Sequence, residues 1–352
     1  MASNPRPQGP AYAHPSISLP RALHDDAPFA SYSALAHLPE HPSTTIATRD
    51  LWLRITEAVR HHQAPAAELS FHTMRLWYGD PDFTLSRIGA FIVVGLHDAP
   101  RHATVIAIPG ARTSPPVVAH LATLFREVDV RLLSETTADA LSAASSVAGA
   151  AAIADRDTAD YVLSMDAVAS LEGPAFHTRR REVRRFTARH GAGLEFRAGH
   201  LGESWANEHL AATTRNWIDR KFESPAAISA AVRREWRGIL GWAQDPSAHE
   251  LRLFAVSLEG QAVGASVVAP MWNGTWMGIV LKTDPSIPGL TAYLRQRVCQ
   301  QGLRELGPGA VLNIQQDDGL AGLRAAKLSY RPVRLVPKFS IQRGGRGAQE
   351  AA

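Results

Sequence analysis

The chain has 352 residues, 45% hydrophobic and 20% charged, an ordinary globular composition with room for two domains. Its one cysteine, Cys299, excludes an internal disulfide and a cysteine-rich metal site and reads as a helix packing residue. The formal net charge is only +4, yet seven arginines fall between Arg179 and Arg197, a local excess that attracts nucleic acid or anionic lipid. No apolar run reaches the roughly 18 residues of a membrane helix. The longest, 88–96 and 263–269, are strand-length. The N-terminus shows no basic region followed by an apolar one, so a cytoplasmic protein without a signal peptide or transmembrane segment is expected.

Residues 1–30 are rich in Pro, Ala, Ser and His without periodicity and read as a mobile tail. Thr48 can cap a helix running to about Arg60, with Leu51, Ile55 and Val59 on one face. Phe71, Met74, Trp77 and Tyr78 fit a core better than a pocket. Residues 83–96 and 103–108 read as two strands joined by a turn, the second broken by Pro109-Gly110. A helix over 115–127 with Pro near its start, a strand over 128–133 and an alanine-rich helix over 138–153 follow. A polar interruption at 154–158 separates two domains, 31–157 and 158–342, with 343–352 a second loose tail.

In the second domain the spacing predicts a strand at 162–164 with Asp166 capping the turn after it. A basic helix over 176–189 is ended by Gly191 and Gly193, and a strand at 194–197 follows. Two amphipathic helices, 203–221 and 228–243, precede three strands, 251–258, 261–269 and 275–281. Glu259-Gly260 and Asn273-Gly274 suit tight hairpins between them. A helix over 287–306, a strand at Val311-Leu312, a short helix and a strand over 333–341 complete the chain. From Leu194 this is the element order of an acetyltransferase-like α+β domain, a mixed, mostly antiparallel sheet flanked by helices; the first half repeats it less clearly.

The densest chemistry lies at 313–332, NIQQDDGLAGLRAAKLSYRP. Asn313 ends a strand, and Asp317, Asp318 and Gly319 make a turn. On the helix after it, Leu320, Leu323, Arg324 and Lys327 share one face. Burying unpaired charge is costly, so the two cations either splay out to Asp317 and Asp318 or meet a carboxylate, a phosphate or a ligand. On the basic helix, Phe176, Val183 and Phe186 set the apolar stripe, with Arg179 inside it and Arg180 at its edge. Arg181, Arg184 and Arg185 point elsewhere, as a polyanion surface or a merely solvated face. Lys282 follows the apolar residues 277–281, where a strand opens toward a ligand. Trp217 and Lys221, one turn apart, could meet an adenine ring and a phosphate, although packing also explains Trp217. Residues 284–289, at the place of a coenzyme A pyrophosphate loop, hold two prolines and one glycine and make a poor anion cradle. No serine nucleophile elbow, zinc-ligand spacing or Walker loop is present, and the adjacent His61 and His62 do not share a helix face, so no metal is expected.

The 313–332 stretch resembles the end of the C-terminal domain of phosphatidylglycerol lysyltransferases, a family that includes soluble relatives. The family segment runs roughly N-x-E-x-D-x-G-x-x-x-L-R-x-x-K-x-x-Y-x-P. Asn313, Asp317, Gly319, Leu323, Arg324, Lys327, Tyr330 and Pro332 match it, and Gln315 replaces its central acid. Asp160-Tyr161 and the run from His177 to Phe186 resemble the family's D-Y and H-x-x-R segments, Arg180 being the arginine of that run. Lys282 matches a family lysine, although Leu281 replaces the acid before it. The likeness spans about residues 30–341 and implies a tandem of two acetyltransferase-like domains.

It also implies aminoacyl transfer from aminoacyl-tRNA as co-substrate, with no other cofactor. Such an ester is already activated, so the protein must place a hydroxyl or amine and stabilise the oxyanion. Arg324, Lys327 and Lys282 suit that stabilisation, with Asp317 orienting either the donor's ammonium or Arg324. Asn313, Gln315, Tyr330, Arg180 and Trp217 are the expected substrate contacts, and Arg181, Arg184, Arg185 and Lys221 the expected tRNA surface. The family's lysyltransferases carry a membrane portion that is missing here, which favours a small-molecule acceptor, as in soluble relatives from natural-product pathways. The alternatives are a peripheral aminoacyl-phosphatidylglycerol synthase touching anionic membrane, a coenzyme A acyltransferase, and a non-catalytic binding protein.

Overall fold

The structure, a computed structural model, describes residue 35 and residues 37–78, 83–96, 102–109 and 114–343. The expected tails lie outside the described residues, except that Arg343 ends a strand. The first half runs β1 (Thr45–Ile46), α1 (Arg49–Val59), α2 (Phe71–Tyr78), β2 (Phe83–Ile88), β3 (Phe91–Leu96), β4 (His102–Ala107), α3 (Pro115–Glu127), β5 (Asp129–Val130), α4 (Glu135–Ala140), α5 (Ser142–Val147) and β6 (Ala150–Ala154). The second runs β7 (Asp160–Ser164), α6 (Met165–Ser170), α7 (His177–His190), β8 (Leu194–His200), α8 (Ser204–Lys221), α9 (Ala230–Trp242), β9 (Arg252–Leu258), β10 (Gln261–Pro270) and β11 (Thr275–Thr283). It ends with α10 (Leu290–Leu306), β12 (Val311–Asn313), α11 (Ala321–Leu328), β13 (Arg334–Val336) and β14 (Phe339–Arg343).

From β8 the order is the expected one, and β1 to β6 repeat it: strand, two helices, three antiparallel strands, helix, strand, helices, strand. The architecture is α+β, two acetyltransferase-like units in tandem. Two local departures blurred the first repeat in the sequence. Residues 83–96 are a hairpin rather than one strand, turning at Gly89 with φ of 58°, where no polar break marks the turn. The end of the expected alanine-rich helix is β6, paired antiparallel with β14 from Ala150↔Arg343 to Ala154↔Phe339. Alanine is neutral enough that a distant partner strand decides its state. Thr48 caps α1 as expected, its Oγ1 accepting from the Leu51 amide at 3.3 Å. Ser164, not Asp166, caps α6; Asp166 instead accepts from the Gly309 amide at 2.9 Å.

The strands form a five-stranded sheet, β1-β2-β3-β4-β5, a seven-stranded sheet, β13-β7-β12-β11-β10-β9-β8, and the β14-β6 pair. The β14-β6 pairing crosses the expected boundary between 157 and 158. Helices cover both faces of the seven-stranded sheet. Phe254, Trp276 and Leu312 pack with α6, α7 and α10 on one face, and Leu253, Val267 and Met277 with α8 and α9 on the other. Cys299 is buried in the first of these layers, where burial pushes its thiol up to about 12, so it is a packing residue. The two halves meet where α2 lies against α9. A Cβ at Gly238 would stand 2.7 Å from Leu76 Cδ1, so a larger residue there would require Leu76 to shift. Among the described residues no helix is long and apolar enough to cross a membrane, and no cluster of three His, Cys, Asp or Glu is placed to hold a metal.

Candidate functional site

The site begins where two parallel strands part. β11 and β12 pair from Thr275↔Val311 to Met277↔Asn313, where β12 ends while β11 continues to Thr283. Beyond that point a cavity of about 430 Å³ opens between them, within the usual range for small-molecule sites. Gly278 to Leu281 of β11 form one wall and Ile314 to Gln316 the other. Met74 and Trp77 of α2, Arg234 of α9, Arg295 of α10 and Leu323 and Lys327 of α11 close it. The aromatic group expected in the core therefore supplies part of this lining.

The parting of the strands leaves β11 carbonyls without a strand partner, and Gln315 satisfies them. Its Nε2 donates to the Gly278 carbonyl at 2.7 Å and the Ile279 carbonyl at 3.3 Å, while its Oε1 accepts from Trp77 Nε1 at 3.2 Å. Its backbone sits at φ of 59°, held by its amide donating to Asn313 Oδ1 at 2.8 Å. An acid here would set carboxylate oxygens against two carbonyls. Gln315→Glu is therefore expected to lower unfolding free energy by about 1–3 kcal/mol, the scale for unsatisfied buried polar groups. Urea unfolding at neutral pH measures it, and an equally stable variant would show that the amide donors are dispensable.

Lys327 turns inward rather than outward. Its ammonium donates to the carbonyls of Ile314 at 2.6 Å, Gln315 at 3.1 Å and Gln316. All three of its protons are thus committed to shaping the cavity wall. Burial, then the charge of Arg295, pushes its pKa down to about 8. Its expected role as a direct oxyanion donor gives way to one as organiser of the 314–316 wall.

Asp317, fully buried, is a hub and not a ligand contact. Arg324 grips it with two bonds of 2.8 Å, Tyr161 Oη and the Gly319 amide also donate to it, and Arg156 stands 3.5 Å away. Burial alone would raise its pKa, but the hydrogen bonds from Arg324, Tyr161 and Gly319 outweigh it and hold the carboxyl well below the usual range. Arg324 also meets Asp157. Of the two expected readings of Asp317, orienting Arg324 is the one the geometry gives. Asn313 is equally internal, its Nδ2 donating to the Pro65 carbonyl and to Asp160 Oδ2, both at 3.0 Å.

A second buried network backs the cavity. Lys338 Nζ donates to Asp160 Oδ1 at 2.7 Å, Glu68 Oε1 at 2.7 Å and Gln316 Oε1 at 2.9 Å. Asp160 also accepts from the Ala67 amide at 2.8 Å. Burial lowers the Lys338 pKa, but Asp160 and Glu68 outweigh it, so the value is raised. Lys338, in the short link between β13 and β14, was not singled out from the sequence, although a lone lysine among apolar residues signals a buried partner. Nor were Glu68, Arg234 and Arg295, which nothing in the local sequence marks.

Several expected contacts lie elsewhere. Lys282 donates to Glu235 at 2.7 Å and sits 3.9 Å from the centre of the Trp217 ring, outside the cavity lining. Lys282, buried on β11, thus meets Glu235 of α9 and Trp217 of α8. Arg180 donates to the Leu171 and Gly173 carbonyls, closing the end of α6. Tyr330 is buried between Arg179 and Arg295, 5.3 and 5.0 Å from its ring centre, and so props Arg295 rather than meeting substrate. Arg181, Arg184 and Arg185 are exposed on α7, and Lys221 on α8. Arg233 and Arg237 are exposed on α9, the helix that contributes Arg234 to the cavity lining.

A family profile described as phosphatidylglycerol lysyltransferase, C-terminal, matches residues 60–342. Three solved structures share the fold. A conserved protein of unknown function from Bacteroides thetaiotaomicron superposes with a TM-score of 0.68 at 19% identity, covering 85% of this chain and 99% of that one. L-PGS from Bacillus licheniformis gives 0.58 at 15%, covering 88% and 94%. The C-terminal domain of a putative lysylphosphatidylglycerol synthetase from Agrobacterium fabrum gives 0.55 at 16%, covering 84% and 91%. No curated protein matches the chain in sequence.

Proposed function

We propose, for a chain that belongs to the phosphatidylglycerol lysyltransferase C-terminal family, that it is a transferase moving an aminoacyl group from its tRNA ester to a hydroxyl or amine of a small-molecule acceptor. The observation that carries this is the cavity at the β11–β12 parting. Its walls hold the cations Arg234, Arg295 and Lys327 and the acids Glu68 and Asp318 around an apolar floor. That mixture suits a small zwitterionic or amine-bearing acyl group better than a simple anion. Arg233 and Arg237, exposed on the same helix as Arg234, offer positive charge to an approaching tRNA end.

The acceptor's oxygen or nitrogen bonds to the ester carbonyl carbon, the bond to the ribose oxygen breaks, and the acceptor's proton ends on that oxygen. The protein's part is placement, and a positive field at the carbonyl from Arg295 and the Lys327 ammonium. In the loop before α10, Asp284 accepts from the Ser286 amide at 2.9 Å, and Pro285 and Pro288 offer no N–H, so a coenzyme A pyrophosphate would find few donors there. The test is donor dependence. Acceptor modification is expected with charged tRNA, to vanish after RNase treatment, and to need no acyl-coenzyme A. Full turnover with an acyl-coenzyme A, or with free amino acid and ATP, would refute the proposal.

A lipid acceptor is the second reading, favoured by one feature. Leu320, Leu323, Leu328, Val333 and Leu335 are exposed from the start of α11 to β13, Leu320 and Val333 by about 60% of their surface, and Leu323 also lines the cavity. Such a patch could seat a bilayer edge beside the site. Flotation with phosphatidylglycerol vesicles separates the two acceptors.

A further inference from the structure

Among the described residues of the cavity wall, Glu68 Oε2, Thr73 Oγ1 and Arg295 Nε are buried without a hydrogen-bond partner, and of these only Glu68 Oε2 belongs to an acid. Glu68 stands in a single 3-10 turn, Ala67–Leu69, and is 7% exposed. Its Oε1 accepts from Lys338, but its Oε2 is buried without a hydrogen-bond partner. Such an atom is costly unless something else satisfies it. The local charges point the same way. Among the described residues Lys338 is the one cation in contact with the two buried carboxylates Glu68 and Asp160, so when both are ionised the contact group holds two negative charges against one positive. The missing cation is not supplied by Asn313 or Gln316, which complete the network as neutral amides. Of the other acids lining the cavity, Asp318 is exposed at the rim. Arg234, Arg295 and Lys327, on the α9, α10 and α11 walls, would repel a ligand's ammonium from their side.

We infer that Glu68 is the anchor for the protonated α-amino group of the aminoacyl donor. The inference rests on the reading of this cavity as the donor site and names the part of the donor that it recognises. An ammonium at Oε2 supplies both the absent donor and the absent positive charge. It also orients the acyl group, placing the ester carbonyl toward the cationic walls. Glu68 is thereby a specificity-determining residue, selecting donors with a free amine over deaminated or N-acylated ones.

Burial raises the Glu68 pKa to about 7, with Lys338 opposing the rise and Asp160 adding to it. A bound ammonium favours the ionised carboxylate, so amine binding should strengthen as pH rises toward 7. Glu68→Gln is well suited to the test because its side chain can still accept from Lys338, and the Lys338–Asp160 pair that remains is balanced. The raised folded-state pKa means that wild-type stability from this group is complete below about pH 4.5 and lost as pH rises through about 7. The variant is therefore expected to melt no lower than wild type at pH 8, which confirms folding independently of binding.

Calorimetry with the whole chain would compare a panel of L-amino acid amides with the matching carboxamides that lack the α-amino group. Wild type is expected to bind at least one amide about ten- to a hundred-fold tighter than its deaminated counterpart, the scale of a hydrogen bond to a charged group. Glu68→Gln should remove that preference and leave the deaminated compound unaffected. Wild-type affinity for the amide should rise from pH 5.5 to 7, below the range where α-amino groups lose their proton, and the variant's should not. An amide preference that survives in Glu68→Gln, or a variant that weakens both compounds equally, overturns the Glu68 assignment while leaving the donor site standing. If wild type binds neither compound, the donor assignment of the cavity fails first.

Discussion

Replacing Lys338 with Met is expected to cost about 3–5 kcal/mol of stability, the scale for stranding a buried ionic partner. Lys338 is 1% exposed and holds Asp160, Glu68 and Gln316 from three separate parts of the chain. Its removal leaves two buried carboxylates with no cation. Domains are stable by only about 5–15 kcal/mol, so the variant should lose a large share of its stability or fail to accumulate. The loss should shrink in acid, where the stranded acids can take up protons. Adding Glu68→Gln should recover part of it, because one fewer acid is stranded. Urea unfolding of the single and double variants measures both effects. A Lys338→Met protein within about 1 kcal/mol of wild type would mean that water reaches the network freely.

Lys327→Gln is expected to lower single-turnover transfer about a hundred-fold, the scale for losing one preorganised charged group near a developing oxyanion. The ammonium fixes three successive carbonyls at 314–316 and lends its charge to the cavity. Glutamine can donate two protons at most and carries no charge. Because the folded-state pKa is pushed down to about 8 from 10.5, the folded protein releases this proton before the unfolded chain does. The stability contribution of this group therefore rises with pH between about 8 and 10.5 and is lost as pH falls through about 8. Activity should move oppositely, falling as pH rises through about 8, after correction for spontaneous ester hydrolysis. The variant should lack that limb. A near wild-type rate with an unchanged pH profile would remove Lys327 from the site.

The element order of the second half was legible in the sequence because its signals are local. Turn pairs such as Glu259-Gly260 and Asn273-Gly274 carry positive φ at both residues in the structure, as a tight hairpin requires. Apolar spacing placed α8, α9 and α10 within a few residues of their observed bounds. The 313–332 stretch was legible as the chemically dense segment for the same reason, since Arg324 meets Asp317 and Lys327 meets the 314–316 backbone within that one stretch.

Their roles were not legible, because a charged side chain's role depends on what faces it. Arg324 and Asp317 hold each other, Lys327 holds backbone, and Lys282 lies under Trp217. The strand state of 150–154 was set by β14, nearly two hundred residues away, and not by the alanines themselves. The cavity was hidden for the same physical reason. It exists because β12 ends while β11 continues, and because α2 from the first half and α9 from the second close over the gap. Glu68, Arg234 and Arg295 become neighbours only there. The sequence by itself determined the element order of the second half and where charge is concentrated, since those follow from contacts within a few residues. Only the tertiary structure decided which charges are satisfied by the fold and which polar atoms are buried without a partner, since pairing and burial are set by segments far apart in the chain.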